Sequence, residues 1–374
     1  MSQILIIFID SLPFVLLDKT PFLNSILEKW GIEPGFGYSV NIHAELFAGL
    51  LPDDIGYFGE WMHDPPRSPG WRYRALLPLM DTVLRPYILN RGLQHILTKR
   101  YSKGHPMPNI PLRHLDKFAL EGEHIQSPNF PAPTLFTQFP EMKTLPYRGI
   151  GRPKGERDAL LFAQGMAAIP DHPRLFVPLP DLDGFGHQYG IDRQSYLDHL
   201  TAVDNWCRQL SQSHQQKYPQ GHIFIVSDHG MVNVNQGVYL DIEEKIGKAS
   251  ANTYLYFSDA NLLRVWVFDG ALRPAIQTYL EQYPHGQIVN EAERQNYGLT
   301  SPRFGDFIYV LAEKLAFQPS TFARNIPNGM HGYHAKAPHQ AGIALHMGTA
   351  WPNAAPQRMK DVYGMMRDAL AGAW

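Results

Sequence analysis

Aspartate and histidine residues fall in four places along this 374-residue chain where folding could bring them together. Each place is the end of a strand-like apolar run or a glycine-bearing loop, and the residues are Asp10, Asp183 with His187, Asp228 with His229, and His331. Carboxylates and imidazoles are the usual ligands of zinc and related divalent ions. Because the carboxyl ends of parallel strands meet at one edge of a sheet, we predict a site for two metal ions at that edge.

Each of these groups, taken alone, also fits a structural role. Asp228 with His229 fits a buried hydrogen-bonded pair, and Asp183 fits the cap of a glycine-rich turn. Asp10 fits a turn cap, and His331 fits an exposed loop histidine. The order of the groups along the chain, rather than any single group, favours the metal site.

The elements that must position these residues follow from the apolar pattern. Continuous apolar runs predict buried strands, and helical spacing between breakers predicts helices; the strands are 4–9, 173–180 and 221–227, and the helices are 20–30, 42–50 and 193–212. The first of these helices would start after Thr20, bury Leu27 and Trp30, and end at Gly31. Apolar strands that alternate with helices predict an α/β fold, with a central, mostly parallel sheet sandwiched by helices.

Two stretches interrupt this alternation. One is rich in proline, aromatic and basic residues, and the other contains short alternating segments such as 262–268 and 306–311. We therefore predict an inserted cap and a small α+β subdomain, and divide the chain into core 1–59, cap 60–150, core 151–235, α+β subdomain 236–325 and core 326–374.

The bulk composition excludes several classes of protein. A net charge of −2 argues against a general nucleic-acid-binding protein. The single cysteine, Cys207, excludes an internal disulfide and a cysteine-rich zinc module. The apolar run 4–9 has no basic flank and ends at Asp10, which favours a strand over a signal peptide. No run in the sequence reaches the roughly 18 apolar residues that span a bilayer, and we expect a cytoplasmic protein.

The motifs together resemble those of the alkaline phosphatase superfamily, and within it the type I phosphodiesterase/nucleotide pyrophosphatase family. The matching segments span residues 4 to about 346 and include Asp183-x-x-Gly186-His187, Ser227-Asp228-His229-Gly230-Met231 and Met330-His331-Gly332-Tyr333. Ser39, followed by His43 and by Gly49-Leu50-Leu51-Pro52, takes the place of the family's nucleophile.

The resemblance implies an alkaline-phosphatase-like fold and a two-metal phosphodiester hydrolase. One divalent ion would be bound by Asp183, His187 and His331, and the other by Asp10, Asp228 and His229. Zinc suits this ligand set, and manganese or iron also fits. Ser39 would attack the phosphorus atom and form a phosphoseryl intermediate, which water then hydrolyses.

The sequence departs from the family pattern beside these motifs. Ser11 stands where the family usually has glycine, and Asn41 where it usually has proline. Glu60 stands where an asparagine commonly contacts the phosphate, which puts ordinary nucleotide substrates in doubt unless Glu60 points away. We predict that Asn41, His43, Glu60 and Trp61 contact the substrate.

A basic, apolar stretch at 71–103 is compatible with more than one role and does not identify the substrate. It fits a helical cap with a solvated basic face, or a surface that contacts an anionic membrane or a bulky, lipid-linked phosphodiester. Two other functions would use the same site residues. One is a phosphotransferase similar to the ethanolamine-phosphate transferases of the superfamily, and the other is a catalytically inactive, metal-stabilised binding protein.

Overall fold

The computed structural model describes most of the chain, namely residues 2–68, 70–77, 92, 110, 112–321 and 325–373. The chain divides into two compact units. The first comprises Met1–Leu51, Glu123–Val234 and Pro327–Trp374, and the second comprises Pro52–Gly122 and Asn235–Ile326. The five-segment division drawn from the sequence stays a prediction.

The described strands, in chain order, are β1 (Ile4–Ile9), β2 (Glu28–Ile32), β3 (Trp61–His63), β4 (Phe118–Leu120), β5 (Lys143–Thr144), β6 (Arg174–Leu179), β7 (His222–Val226), β8 (Val232–Asn233), β9 (Gln236–Val238), β10 (Tyr254–Ser258), β11 (Leu262–Val267), β12 (Gly286–Ile288), β13 (Phe307–Leu311), β14 (Leu315–Phe317), β15 (Gly329–Met330) and β16 (Gly342–Met347).

The described α-helices are α1 (Pro21–Ser25), α2 (Ser39–Ala48), α3 (Pro52–Ile55), α4 (Leu135–Gln138), α5 (Arg157–Ala168), α6 (Asp181–Tyr189), α7 (Gln194–Lys217), α8 (Ile242–Ile246), α9 (Arg273–Gln282), α10 (Glu291–Asn296) and α11 (Met359–Ala371). Short 3-10 turns lie at Phe14–Lys19, Pro65–Arg67, Trp71–Tyr73, Leu112–Lys117, Gly270–Leu272 and Pro302–Phe304.

A six-stranded sheet in the order β2-β16-β7-β1-β6-β5 forms the centre of the first unit. Strand β1 pairs in parallel with both β6 and β7, and β5 pairs in parallel with β6. Strand β16 runs antiparallel to β7 and to β2. The predicted α/β fold with a mostly parallel sheet is therefore confirmed, with β16 as its antiparallel strand.

The parallel strands and the helices beside them share one hydrophobic core. Every residue of β1 and β6 is buried, as expected for strands covered on both faces. The predicted helix 193–212 is α7, whose buried residues Tyr196, Leu200, Val203, Cys207 and Leu210 pack into that core. Their helical spacing correctly predicted the buried face.

The predicted helix 20–30 is wrong beyond its first turn. Thr20 precedes α1 and Pro21 occupies its start, as expected, but α1 ends at Ser25. Leu27, expected to be buried, is 96% exposed. Residues 28–32 form β2 because they pair with β16, a partner far along the chain that local spacing cannot reveal.

The second unit contains a four-stranded antiparallel sheet in the order β10-β11-β13-β12. The alternating segments 262–268 and 306–311 fall on β11 and β13. Its buried core contains Trp61, Leu77, Ile110, Leu115, Phe118, Leu255, Phe257 and Trp266. In neither unit is any described helix both long enough and apolar enough to cross a membrane.

Candidate metal centre

Three neighbouring strands bring the predicted ligands to one edge of the central sheet. Asp10 directly follows β1, and Asp228 is the second residue after β7. Asp183 lies in the first turn of α6, which begins two residues after β6. Because β1, β6 and β7 are adjacent and parallel, their carboxyl ends present these three carboxylates together.

The first cluster of ligands consists of Asp183, His187 and His331. Asp183 Oδ1 lies 3.3 Å from His187 Nε2 and 3.5 Å from His331 Nε2. His187 Nδ1 lies 2.9 Å from the carbonyl oxygen of Gly329. Since a carbonyl oxygen only accepts, Nδ1 carries the proton and Nε2 keeps a lone pair for an ion.

The second cluster consists of Asp10, Asp228 and His229. His229 Nε2 lies 3.1 Å from Asp228 Oδ2 and 3.8 Å from Asp10 Oδ1. His229 Nδ1 lies 3.0 Å from the carbonyl oxygen of Gly230 and therefore donates to it, which leaves Nε2 as the ligand atom.

The two clusters form one continuous centre. Ligand atoms of Asp10, Asp183 and His229 all lie within 4.8 Å of one another. The rings of His229 and His331 stack with centroids 3.7 Å apart and planes 8° apart. The structure thus brings together all six predicted ligands, hereafter the metal centre.

Local backbone geometry explains two positions beside the ligands. A Cβ atom on Gly230 would lie 1.9 Å from the carbonyl oxygen of His339, so only glycine allows the chain to pass there. Ser11 has a φ of 68°, the left-handed region that favours the glycine usual at this position. Its Oγ donates to the Gly230 carbonyl at 3.2 Å, and its N–H donates to Asp228 Oδ1 at 3.2 Å.

Ser39, the predicted nucleophile, opens helix α2 next to the second cluster. Its Oγ lies 3.1 Å from His229 Nε2. The amide N–H groups at a helix start lack partners within the helix, and the helix dipole is positive there. The start of α2 is therefore suited to an anionic group such as a phosphate.

Charge crowding dominates the electrostatics of the centre. Burial, reinforced by the carboxylates of Asp228 and Asp183, raises the pKa of Asp10 well above its usual value. Burial alone would raise the pKa of Asp183, but His187 outweighs it and holds that pKa below its usual range. Burial likewise opposes protonation of His229, yet Asp228 raises its pKa to about 9.

Two further observations indicate that these residues suit divalent ions. Asp10 Oδ1 and Asp183 Oδ1 are buried and have no hydrogen bond from any residue that the structure describes. An unsatisfied buried carboxylate oxygen is costly unless a cation faces it. The surrounding donors are oxygens and imidazole nitrogens, which suit zinc, manganese and iron.

The predicted substrate-contacting residues have different surroundings. His43 is buried, and its Nε2 lies 3.0 Å from Asp228 Oδ2, so it supports a ligand. Asn41 is also buried, and its side chain bonds the backbone of Phe36 and Tyr38 at the start of α2. Their contact with substrate stays a prediction.

The remaining predicted contacts lie elsewhere in the chain. Glu60 and Trp61 belong to the second unit, where Trp61 is part of the buried core. Most of the basic stretch 71–103 lies outside the described residues. The predicted roles of both segments therefore remain predictions.

Sequence reasoning missed Tyr147, whose hydroxyl donates to Asp10 Oδ2. Tyr147 lies in a loop after β5 and belongs to no metal-ligand motif. The sequence offers no signal for it, because its contact with Asp10 spans 137 positions of the chain.

Solved structures of known proteins share this fold across nearly the whole chain. Human ectonucleotide pyrophosphatase/phosphodiesterase 5 matches with a TM-score of 0.67 at 14% identity, covering 99% of this chain and 95% of that one. An inactive form of the murine protein in complex with AMP matches with a TM-score of 0.65 at 16% identity and the same coverage. These matches show that the chain has the same α/β fold as those proteins.

Sequence comparison finds a family resemblance over part of the chain. Residues 156–334 match the family model of type I phosphodiesterase/nucleotide pyrophosphatase, a segment that contains every proposed ligand except Asp10. Ectonucleotide pyrophosphatase/phosphodiesterase 2 of Saccharomyces cerevisiae is 33% identical over 93 residues, which cover 23% of this chain and only 19% of the yeast protein. Residues 156–334, just under half of the chain, are therefore similar to this family.

Proposed function

We propose that this protein hydrolyses phosphodiester bonds through a phosphoseryl intermediate on Ser39, with two divalent ions, zinc first among them, as cofactors. The observation that carries the proposal is the position of Ser39. Its Oγ lies 3.1 Å from His229 Nε2, at the start of α2 and beside the metal centre. A nucleophile, an anion-binding helix start and a cation-binding cluster thus occupy one place.

The ligand sets are proposed as the family resemblance implies. Asp183, His187 and His331 would hold one ion, and Asp10, Asp228 and His229 the other. Bound there, the ions would lower the pKa of the serine hydroxyl and neutralise charge on the phosphoryl group.

The chain's own residues account for the remaining steps. Ser39 Oγ forms a bond to phosphorus while the bond to the leaving oxygen breaks, and the serine proton ends on the released alcohol. Water then attacks the phosphoseryl group, which frees Ser39 and a phosphate monoester. The start of α2 orients the phosphoryl oxygens in both steps, and His43 holds Asp228 in place.

The substrate we propose is a bulky or lipid-linked phosphodiester. Its support is the basic, apolar composition of 71–103 and the acidic Glu60 at the family's phosphate-contacting position. The AMP bound by the murine structural relative makes a nucleotidyl ester the competing substrate class. Peripheral membrane contact and a cytoplasmic location stay predictions, which cell fractionation tests.

The first experiment combines metal analysis with hydrolysis of bis-(p-nitrophenyl) phosphate and p-nitrophenyl phosphate. We expect about two ions per chain, faster cleavage of the diester, and a loss of about 10⁴-fold or more in Ser39→Ala. Ser25→Ala is a matched control, because Ser25 is exposed and its Oγ donates to the carbonyl oxygen of Phe22, away from the metal centre. Full activity in a metal-loaded Ser39→Ala protein would refute the covalent mechanism.

A second panel separates the substrate classes. Thymidine 5′-(p-nitrophenyl phosphate) represents nucleotidyl esters, and p-nitrophenyl phosphorylcholine represents lipid head groups. Preference for the choline ester would support the proposed class, and preference for the thymidine ester would replace it. Bound metal without cleavage of any ester would favour a transferase or a binding protein.

A further inference from the structure

The contact between Tyr147 and Asp10 joins a loop residue outside the ligand motifs to one of the proposed ligands. The Tyr147 hydroxyl donates to Asp10 Oδ2, whereas Asp10 Oδ1 has no hydrogen bond from any described residue and lies 3.8 Å from His229 Nε2. One oxygen of the carboxylate is thus held by the protein, and the other faces the ligands.

Tyr147 is itself fixed in position from several directions. Its backbone N–H donates to Gln126 Oε1 at 3.0 Å, and Gln126 Nε2 donates to the Leu145 carbonyl at 3.0 Å. The Tyr147 ring stacks on His124 with centroids 5.2 Å apart and meets the edge of His43 at 5.3 Å. A side chain held in this way can orient the group that it bonds.

The backbone of Asp10 is held separately. Its N–H donates to the Leu179 carbonyl at 3.1 Å, which continues the pairing of β1 with β6. The main chain therefore places the Cα atom of Asp10, and only the side-chain torsions remain to be set. The hydrogen bond from the Tyr147 hydroxyl to Oδ2 bears on these torsions.

We propose that Tyr147 is a positioning residue that makes Asp10 a one-oxygen ligand of its metal ion. Holding Oδ2 reserves Oδ1 for the ion and prevents both oxygens from turning toward it. Partners that orient a metal ligand typically contribute 10–100-fold, on the order of one to two decades, to metal affinity. The inference rests on the proposed two-metal function.

The test is zinc titration of chelator-treated protein, followed by calorimetry, for wild type and Tyr147→Phe. Phenylalanine keeps the ring that packs on His124 and removes only the hydroxyl. We expect affinity for one of the two ions to fall by about 10–100-fold and the other to stay unchanged. Asp10→Asn identifies the affected ion, because it must weaken the same binding step.

A spectroscopic measurement adds a readout that loss of stability alone would not change. Cobalt(II) absorbs visible light more strongly at lower coordination number. If Asp10 turns both oxygens to the ion in Tyr147→Phe, the absorption of the cobalt-loaded protein falls relative to wild type.

Tyr218→Phe is the matched control. Tyr218 is buried in the same unit, and its hydroxyl donates to the Ile169 carbonyl at 3.1 Å. It should lose a similar amount of thermal stability with both zinc affinities unchanged.

Two results would overturn the inference. Unchanged affinities and cobalt spectrum in Tyr147→Phe, beside a wild type that binds two ions, would overturn it alone. A wild type that itself binds fewer than two ions would overturn it together with the proposed function.

Discussion

Among the described residues of the first unit, two groups of carboxylates and imidazoles can be compared, and their surroundings distinguish them. One is the metal centre. The other, here the capping cluster, consists of Asp158, Asp181 and His199, whose ligand atoms also lie within 4.8 Å of one another. By residue type and distance alone, the two groups are alike.

In the capping cluster, protein donors already occupy the carboxylates. Asp181 Oδ2 accepts from the N–H groups of Gly155, Arg157 and Asp158 at 2.9, 3.1 and 3.2 Å, and its Oδ1 accepts from the Arg157 guanidinium at 2.6 Å. Asp158 Oδ1 accepts from the Asp181 N–H at 3.0 Å, and its Oδ2 lies 2.9 Å from His199 Nε2. The starts of α5 and α6 thus cap each other.

In the metal centre, by contrast, the Oδ1 atoms of Asp10 and Asp183 accept no hydrogen bond from the described residues. The comparison teaches that saturation of the acceptors, rather than composition, separates a structural cluster from a ligand set. The capping cluster still serves the centre, because it fixes the start of α6, which carries Asp183 and His187.

The largest expected effect is a difference in metal affinity between the Asp183→Asn and Asp181→Asn variants. Asp183→Asn should lose metal affinity by more than about 100-fold and with it diester hydrolysis, because even partners of a ligand contribute 10–100-fold. Asp181→Asn should keep both ions and lose stability instead. Elemental analysis and calorimetric titration check this, and equal metal loss in both variants would remove the distinction between the clusters.

The pH dependence of stability separates the clusters next. Burial raises the pKa of Asp158 from 3.8 to about 6, so the folded chain holds this proton more tightly than the unfolded chain. The free energy of unfolding should therefore fall as pH rises from about 4 to 6, by about 3 kcal/mol from this residue.

Asp158→Asn should remove this contribution, since asparagine does not titrate. The measurement is urea unfolding of chelated wild type and variant between about pH 4 and pH 7. Parallel curves for the two proteins would show that Asp158 does not titrate in that range.

Replacing Asp158 with alanine should have a smaller effect, on the free energy of unfolding. Asp158→Ala leaves the Asp181 N–H without its acceptor, which should cost about 1–3 kcal/mol of unfolding free energy. Both zinc affinities should change little, provided that α6 keeps its start. Thermal unfolding and zinc titration together check this, and a selective loss of one ion would instead place the capping cluster within the metal site.

The smallest expected effect is that of Ser11→Gly. Glycine relieves the left-handed backbone at a φ of 68° but removes the hydrogen bond to the Gly230 carbonyl. The two changes oppose each other, so stability should shift by less than about 1 kcal/mol. Metal content should not change, because the N–H that supports Asp228 remains. A larger destabilisation would show that the hydroxyl matters more than the strain.

The sequence predicted well those features that repeat locally or belong to a motif. The runs that became β1, β6 and β7 needed only apolar continuity, and α7 needed only helical spacing. The six predicted ligands came from motifs whose spacing is unchanged in this chain, and the structure brings them together.

What the sequence could not predict depends on distant partners. Residues 28–32 form a strand because they pair with β16. Tyr147 contacts Asp10 only because the folded chain brings these distant residues together. Asp158 and Asp181 look like ligands in any local reading. Only the three-dimensional structure shows that amide and guanidinium groups already occupy them.

The position of β16 in the sheet also determines when this protein can fold during its synthesis. Strand β2 pairs with β16 across about 310 residues of intervening chain, and His331, one of the proposed ligands, lies just before β16. At translation rates of about 5–20 residues per second, β2 waits roughly 15–60 s for its partner. Strand β2 must therefore remain unpaired until β16 has left the ribosome, whereas β1 can pair earlier with β6 and β7. The metal centre, likewise, is completed only after His331, the last of the six proposed ligands along the chain, has been synthesised.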